Sequence, residues 1–392
     1  MNSNRDCFFT SIALNYLPKA LALATSVFKV YPEARFVISV IDLGRLSPAG
    51  QDRLAALVGN WALAGSRLEF IDPLPMYEHP TIFRFKYSVV EACTAIKPAV
   101  ALHLLASSTT VTYLDPDVIL YAPLPVPGDF ADDWDFQVTP HILGPAAPTA
   151  PISERLFMFF GTFNLGYFAV RASDQSLAFL QWWKVFCEEF GANAPHAGLF
   201  VDQKPVDLLP SFVDKVSVLR HPGCNTAWWN IFCDERQLDE SCRQIQFKGG
   251  RHELIFFHFS NLDREPDVTK RLVANPLKGI RLAENRALEQ IYAEYDGLTG
   301  PWMDVAQSIQ AELPKAPQID APNYVRLLLS EALRRGMQYQ GNPFDDGPFM
   351  VSLRSAKYIV GNLSVRDVKE VISAILSVAR LGLAPRLLRY MR

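Results

Sequence analysis

The 392-residue sequence has little net charge and few cysteines. Its formal net charge is -3 and its pI is near 6.2. Nucleic-acid binding normally requires a basic face, so we expect no nucleic-acid partner. Six cysteines occur, and none forms a pair with the two-residue gap that is typical of zinc and redox motifs. We therefore expect reduced, buried thiols, as in a cytoplasmic protein.

Long apolar runs are also absent. The N-terminal apolar run from Cys7 to Leu14 is short, follows the mixed charges Arg5 and Asp6, and has no small-residue cleavage site after it. No stretch approaches the roughly 20 apolar residues that a membrane span needs. This pattern predicts neither a signal peptide nor a spanning helix. We expect a cytoplasmic protein, with peripheral attachment at the inner face of the membrane as the alternative.

Hydrophobic residues make up 49% of the chain and aromatic residues 12%, which is enough for a packed interior. The length predicts a core of roughly 250 residues plus a smaller appendage. We place a catalytic domain at 1–265 and a helical C-terminal extension at 266–392. The segment 365–392 interleaves arginines with apolar residues, so it either lies on an anionic membrane surface or complements its own helix dipole. Acceptor and homo-oligomer contacts are further roles open to the extension.

Strand-like and helix-like segments alternate through the first 120 residues. CFFTSIAL, RFVISVID, RLEFID and TTVTYL read as strands, separated by helical patterns that include a long helix from Lys86 to Ala106. This rhythm predicts an α/β fold with a mostly parallel sheet and helices on both faces. We interpret the Pro- and Gly-rich stretch from Asp129 to Ile152 as a loop. Ligands bind at the carboxyl ends of such strands, where Thr10 and Asp115 lie.

The strongest chemical signal is TYLDPDVILYAPL. Asp115 and Asp117 flank one proline directly after a buried strand. Residues two apart in an extended chain point the same way, and two adjacent carboxylates favour a cation between them. Carboxylate oxygens are preferred ligands of Mg²⁺ and Mn²⁺, which usually complete their shell with substrate phosphates. The alternative is a solvated acidic turn.

These residues carry a family resemblance. LDPDVILYAPL resembles the Asp-x-Asp element of GT-A glycosyltransferases, and FFTSIALNYLPKALALATSVFKVYPEARFVISVID resembles their opening nucleotide-binding unit. Within that fold the chain is most similar to the retaining group that includes glycogenin and the bacterial lipopolysaccharide galactosyltransferases. The resemblance covers about residues 6–262 in separated motifs, and it implies a Rossmann-like GT-A domain that binds a nucleotide-sugar.

The resemblance also implies roles for residues that bind the nucleotide. Thr10, Asn15 and Tyr16 match positions that face the nucleoside, and Lys97 matches a basic residue that offsets the charge of the diphosphate. Asp115 would contact the nucleotide through the metal. For Tyr16 the alternative is packing at a helix start, and for Lys97 it is a helix-end lysine.

Further matches concern the sugar. Asn164, in FNLGYFAV, would bond the donor sugar, and Gly166 would let the backbone approach it. Asp202 and Gln203, in GLFVDQKPVDLLP, match a pair beneath the sugar ring: Asp202 would bind a hydroxyl and Gln203 would lie near the anomeric carbon. An Asp at this position is alternatively a helix N-cap.

His258, in FFHFSNLD, matches the third metal ligand of the family, although a lone histidine after an apolar strand is often a core residue. The family pattern continues His-x-x-Gly and then a lysine, whereas this chain lacks that glycine and lysine. Asn225, Trp228 and Asn230, in PGCNTAWWNI, resemble a segment that borders the donor site.

These features together predict a transferase that uses Mn²⁺ or Mg²⁺ and a nucleotide-diphosphate sugar. The acceptor would be a saccharide or a glycolipid, and the reaction would proceed with retention. Two alternatives stay open. One is a nucleotidyl or phosphoryl transferase, although the first strand–helix turn has no glycine. The other is a non-catalytic carbohydrate-binding protein on a transferase fold.

Overall fold

The structure, a computed structural model, describes residues 6–63, 67–125, 133–146, 148, 150, 152–195, 198–260, 285–314, 321 and 323–362. The strands are β1 Asp6–Ile12, β2 Arg35–Val40, β3 Arg67–Ile71, β4 Thr110–Leu114, β5 Val118–Leu120, β6 Phe136–Pro140, β7 Phe163–Arg171, β8 Asn193–Ala194, β9 Leu199–Phe200, β10 Val216–Val218, β11 Gln237–Leu238, β12 Gln244–Phe247, β13 Gly250–Glu253 and β14 Phe256–His258.

The helices are α1 Leu17–Val30, α2 Pro48–Leu63, α3 Pro80–Lys86, α4 Val89–Ala95, α5 Lys97–Leu105, α6 Glu154–Phe160, α7 Asp174–Phe190, α8 Leu209–Phe212, α9 Trp228–Ile231, α10 Arg286–Thr299, α11 Met303–Gln310, α12 Asn323–Arg334 and α13 Pro343–Gly361. None of these helices combines the length and the apolar character that crossing a membrane requires.

Seven strands form the main sheet, in the order β3-β2-β1-β4-β7-β6-β10. Strands β1, β2, β3 and β4 are mutually parallel, and β10 is parallel to β6. Strand β7 runs antiparallel to both β4 and β6. The sheet is therefore mixed and mostly parallel, and the predicted fold class is confirmed.

Helices cover both faces of the sheet because alternate strand residues point to opposite sides. Phe8 and Ile12 of β1 belong to the core cluster that includes residues of α1 and α2. Phe9 points to the other face, where its ring meets that of Phe168, which in turn packs against Trp183 of α7. This two-sided burial explains why β1 reads as a continuous apolar run.

The acidic corner lies in the turn between β4 and β5. Strand β4 ends at Leu114 and β5 begins at Val118, so Asp115 and Asp117 lie in a turn that the Val118 N–H closes by donating to the Asp115 carbonyl. Strand β14 pairs antiparallel with β5, which places His258 opposite Val118. A connection of more than 130 residues thereby returns the histidine to the two aspartates.

The predicted long helix from Lys86 to Ala106 is instead three helices, α3, α4 and α5. Ser88 caps α4 through a capping box with Glu91, which starts a new helix two residues after α3 ends. Pro98 lies in the first turn of α5, where its missing N–H costs little, and the break falls at Ile96. Continuous apolar character concealed these boundaries.

The predicted loop from Asp129 to Ile152 contains a strand. Residues Phe136–Pro140 form β6, which pairs with β7 on one side and β10 on the other, with an irregularity between Val138 and Thr139. This segment is extended because it hydrogen-bonds to two neighbouring strands. The Pro- and Gly-rich composition around it gave no sign of a strand.

The chain divides into two compact units. The first comprises Met1–Pro80 and Tyr87–Ala316, and therefore includes α10 and α11. The second comprises Thr81–Lys86 and Pro317–Arg392, with a core in which Phe85 joins residues of α12 and α13. The predicted boundary at residue 265 and the basic segment 365–392 lie outside the described residues.

Candidate metal and donor site

Three side chains converge at the carboxyl end of β4. The imidazole Nε2 of His258 lies 3.2 Å from Asp117 Oδ1 and 3.6 Å from Asp115 Oδ2. One ligand atom from each of the three residues lies within 4.8 Å of the others, which is close enough to hold a single cation. The two aspartates thus point to a common centre, as the sequence predicted, although a turn and not an extended strand directs them.

The opposite nitrogen of His258 faces two amide oxygens. Nδ1 lies 3.2 Å from Asn164 Oδ1 and 3.3 Å from Asn225 Oδ1. An amide oxygen only accepts hydrogen bonds, so Nδ1 must carry the proton. In a neutral imidazole Nε2 then presents its lone pair to the carboxylates, which is the orientation that a metal ligand needs.

The charges within this group stabilise one another. Burial alone lowers the pKa of His258, but the charge of Asp117 and its hydrogen bond outweigh burial, and the pKa is raised overall. Burial opposes ionisation of Asp117, yet the charge of His258 and the bond to it lower the pKa of Asp117 to about 2. The two aspartates therefore favour positive charge at the Nε2 side of His258, which is the place that a divalent cation would take.

Gly166 makes room for the imidazole. A Cβ on this residue would lie 2.4 Å from Cε1 and 2.5 Å from Nδ1 of His258, and 2.7 Å from Asn164 Oδ1. The glycine N–H also donates to Asn164 Oδ1 at 3.0 Å. The structure thus shows Gly166 packed against the histidine, a contact that the sequence did not indicate.

Lys97 lies buried between two carboxylates. Its Nζ is 3.2 Å from Asp115 Oδ1, 3.0 Å from Asp202 Oδ2 and 3.1 Å from the Leu165 carbonyl. Burial lowers the pKa of Lys97, but the charges of the two aspartates raise it overall. Nζ donates a hydrogen bond to the Leu165 carbonyl and forms ion pairs with the two carboxylates, so this cation compensates the charge of Asp115 and Asp202.

Asp202 and Gln203 are both buried and held by other groups. Burial raises the pKa of Asp202 to about 6, against the opposing charge of Lys97. Gln203 Oε1 accepts from the Leu165 N–H at 2.9 Å, and Nε2 donates to the Phe160 carbonyl at 2.9 Å. Asp202 does not cap the following 3-10 helix (Lys204–Leu208), whose N-cap position is Gln203 and has no side-chain bond. The alternative role as a helix cap is therefore wrong.

Asn164 connects two histidines. Its Oδ1 faces His258, and its Nδ2 lies 3.2 Å from Nε2 of His141. His141 follows β6 and is buried, with its ring against those of Phe157 and Trp229. Most of the hydrogen-bonding capacity of Asn164 is thus used within the protein, and one N–H of Nδ2 has no acceptor among the described residues.

The three residues predicted to face the nucleoside come from β1 and the turn after it. Thr10 is buried in β1, and its hydroxyl makes no hydrogen bond to any described residue. Asn15 and Tyr16 are half-buried in the 3-10 turn Leu14–Tyr16. Lys19 Nζ lies 4.3 Å from the centre of the Tyr16 ring, and its charge helps to lower the pKa of Asp117, after the larger effects of burial and His258.

Sequence reasoning missed three residues of this site. Tyr113 donates to Asp115 Oδ1 at 2.5 Å, and its position two residues before Asp115 could have indicated this. His141 would have been found only if β6 had been predicted, because its place after a strand end is what marks it. Lys19 lies one helical turn from Tyr16, and only the position of α1 brings its charge to the acidic corner.

Solved structures that resemble this chain include glycosyltransferases. The galactosyltransferase LgtC, in complex with donor and acceptor sugar analogs, has a TM-score of 0.44 and 17% identity and covers 79% of this chain and 100% of its own. The glycosyltransferase GlyE of Streptococcus pneumoniae TIGR4 has a TM-score of 0.44 and 14% identity, with coverage of 79% and 64%.

Among curated proteins, the chain is similar to the uncharacterized protein YfnF of Bacillus subtilis (strain 168). The two are 30% identical over 179 residues, which is 43% of this chain and 56% of that protein. The chain thus spans little more than half the length of this relative. No family model matches the chain.

Proposed function

We propose that this chain is a divalent-metal-dependent glycosyltransferase. It transfers a sugar from a nucleotide-diphosphate sugar to a saccharide or lipid-linked acceptor, with retention at the anomeric carbon. The observation that carries the proposal is the convergence of Asp115, Asp117 and the Nε2 atom of His258 at the carboxyl end of β4. In α/β sheets this edge is where nucleotide ligands bind.

The residues present fit Mn²⁺ or Mg²⁺. Two carboxylates and one imidazole suit Mn²⁺ well, and Mg²⁺ also accepts such oxygen-rich sites. The proton on Nδ1 and the space that Gly166 provides hold the imidazole toward the carboxylates. When bound, the ion would supply Lewis-acid stabilisation of the diphosphate charge, worth several kcal/mol at the transition state.

Around this centre the protein would orient the sugar. Asp202 and Gln203 would contact the sugar ring, and the remaining N–H of Asn164 would bond one hydroxyl. Lys97 supports this arrangement because it pairs with both Asp115 and Asp202. It would thereby hold the metal-binding turn at a fixed distance from the carboxylate that contacts the sugar. Thr10, Asn15 and Tyr16 would border the nucleoside.

The transfer step needs no covalent sugar–enzyme bond. The C–O bond between the anomeric carbon and the diphosphate breaks, and the acceptor oxygen bonds to that carbon from the same face. The departing phosphate oxygen takes the proton of the acceptor hydroxyl. Gln203 is an amide and therefore a poor nucleophile, and the Asp202 carboxylate is paired with Lys97. The absence of a suitable nucleophile among these residues favours the front-face course over a double displacement.

A product assay tests the proposal. The chain is incubated with UDP-, GDP- and dTDP-sugars and Mn²⁺, and the nucleotide released by slow hydrolysis is identified. A glycosyltransferase releases the nucleoside diphosphate, because it cleaves the bond to the sugar. Release of a nucleoside monophosphate would indicate a nucleotidyl or phosphoryl transferase, and no release would favour a non-catalytic carbohydrate-binding protein.

The matched variant is Asp117→Asn, which keeps the shape of the side chain and removes one metal-binding charge. A nucleotide-sugar at a hundredfold excess over Kd should stabilise the wild type by about 2.7 kcal/mol in the presence of Mn²⁺. The variant should lose the Mn²⁺-dependent part of this gain. An equal response of the two proteins in a thermal-shift assay would refute the assigned site.

A further inference from the structure

Three buried polar side chains, those of His258, Asn164 and His141, contact one another in that order, and the first of them belongs to the candidate metal site. His258 Nδ1 lies 3.2 Å from Asn164 Oδ1, and Asn164 Nδ2 lies 3.2 Å from His141 Nε2. We propose that His141 is a positioning residue that fixes the orientation of the Asn164 amide and, through it, the tautomer of His258. This inference rests on the proposed function, because its outcome is the presentation of His258 Nε2 to a divalent cation.

The donor and acceptor ends of the Asn164 amide determine which nitrogen of His258 carries the proton. The NH₂ end of Asn164 can only donate and its oxygen can only accept. If His141 Nε2 carries a lone pair, the NH₂ end of Asn164 must face it, and Oδ1 must face His258. An oxygen at that position requires a proton on His258 Nδ1, which in the neutral ring leaves a lone pair on Nε2.

The surroundings of His141 keep its ring neutral. The ring is buried against Phe157, with ring centres 5.0 Å apart, and is close to Trp229. Burial lowers the pKa of His141 to about 4, against the smaller opposing effect of the Thr162 and Gly161 carbonyls. His141 is therefore neutral at pH 7 and has one acceptor nitrogen. Because the Gly166 N–H donates to Asn164 Oδ1, the NH₂ group of Asn164 faces His141 Nε2, and Nε2 is the nitrogen that accepts from it.

Two other groups also help to fix the tautomer of His258. The Gly166 N–H donates to Asn164 Oδ1 at 3.0 Å, and Asn225 Oδ1 lies 3.3 Å from His258 Nδ1. Both favour the same tautomer of His258. Loss of His141 alone should therefore weaken metal binding without abolishing it, by roughly 10- to 100-fold, as is typical of residues that orient a ligand.

The test uses two substitutions in the full chain. His141→Phe fills the space beside Phe157 and has no acceptor, whereas His141→Gln can place an amide oxygen where Nε2 lies. Mn²⁺ dissociation constants are measured by electron paramagnetic resonance of the free ion. We expect His141→Phe to weaken binding roughly 10- to 100-fold and His141→Gln to recover most of the affinity. His103→Phe, on the exposed side of α5, serves as the control.

A spectroscopic measurement separates positioning from packing. In the metal-free protein, at a pH where the His258 ring is neutral, ¹⁵N NMR of His258 should show the proton on Nδ1 in the wild type and in His141→Gln. His141→Phe should show a mixture of tautomers or a weakened Nδ1–H signal. If His141→Phe lowers thermal stability, comparison at a temperature where both variants are folded keeps the test valid.

The outcomes distinguish this inference from the function on which it rests. Wild-type protein that does not bind Mn²⁺, or that binds it unchanged in Asp117→Asn, would refute the metal site itself. Tight Mn²⁺ binding by wild type and by His141→Phe alike, or equal weakening by Phe and Gln, would overturn the role of His141 alone.

Discussion

At the residue scale, the site depends on contacts that only certain side chains can make. The acidic pair Asp115 and Asp117 was predicted from its spacing after a buried strand, whereas His258 was predicted only through the family resemblance. The sequence did not identify Tyr113, two residues before Asp115, or His141, whose contact with Asn164 arises from the pairing of β6 with β7. The residues that we propose as ligands were thus more predictable than the residues that contact them.

Gly166→Ala should weaken metal binding at least tenfold. The added methyl group would lie 2.4 Å from His258 Cε1, so the imidazole must move away from the aspartates. Crowding of this kind should also lower the free energy of unfolding by about 1–3 kcal/mol. The matched control is Gly59→Ala in α2, where an added Cβ meets nothing within 4 Å and should stabilise the helix by about 0.5–1 kcal/mol. Mn²⁺ titration and denaturant unfolding measure both effects, and unchanged Mn²⁺ affinity in Gly166→Ala would contradict the assigned packing.

Lys97→Met should destabilise the protein by about 3–5 kcal/mol near pH 8, because Asp115 and Asp202 lose their buried counter-charge. The pKa of Asp202, raised to about 6 mainly by burial, should rise further without the lysine. A carboxyl whose folded pKa is raised favours folding below its unfolded pKa and loses that advantage as pH rises through the folded pKa.

The loss in Lys97→Met should therefore be smaller at pH 5, where Asp202 is largely protonated, than at pH 8. Thermal unfolding of wild type and variant across this range measures the difference. A destabilisation that does not depend on pH would show that Asp202 does not rely on Lys97.

At the element scale, the strands and helices of the first half were largely predictable, because their apolar residues recur with clear periods. The predicted elements were wrong where the local composition indicates one structure and the contacts with distant segments impose another. Strand β6 is surrounded by Pro- and Gly-rich sequence but lies between β7 and β10. The break between α4 and α5 falls at Ile96, where Pro98 in the first turn of α5 is the one local sign of a new helix start.

A buried ion pair stabilises the segment between β10 and β12. Arg236 donates to Asp234 Oδ2 at 3.1–3.2 Å and to the carbonyls of Pro222 and Cys224, and both charged side chains are buried. Asp234→Asn removes the partner charge and should cost about 3–5 kcal/mol of stability. The control Asp133→Asn breaks an exposed pair with Lys215, which solvent screens, and should cost far less. Similar unfolding midpoints for the two variants would contradict this account.

At the scale of the whole molecule, the sequence predicted a catalytic domain followed by a helical extension. The two compact units of the structure do not follow one another along the chain in this way. Thr81–Lys86 belongs to the second unit although it lies early in the chain, and Phe85 packs on Phe344 with ring centres 5.2 Å apart. No local pattern reveals that a short helix contributes to a core more than 200 residues away.

A chain shortened to Met1–Ala316 should keep its Mn²⁺ affinity, because Asp115, Asp117 and His258 all lie in the first unit. It should also expose Phe85, whose partners in the second unit are removed, and therefore self-associate more than the full chain. Adding Phe85→Ser to the shortened chain should reduce this association. Light scattering and Mn²⁺ titration measure the two properties, and loss of metal binding on shortening would contradict the expected independence of the site.

The central claim is that one divalent cation binds between the acidic turn and His258. The most direct measurement is anomalous diffraction from crystals grown with Mn²⁺ and a nucleoside diphosphate. We predict one strong peak within roughly 2.0–2.3 Å of an oxygen of Asp115, an oxygen of Asp117 and Nε2 of His258, with diphosphate oxygens completing the shell. A peak elsewhere in the protein, or none at this position while the nucleotide is bound, would contradict the claim.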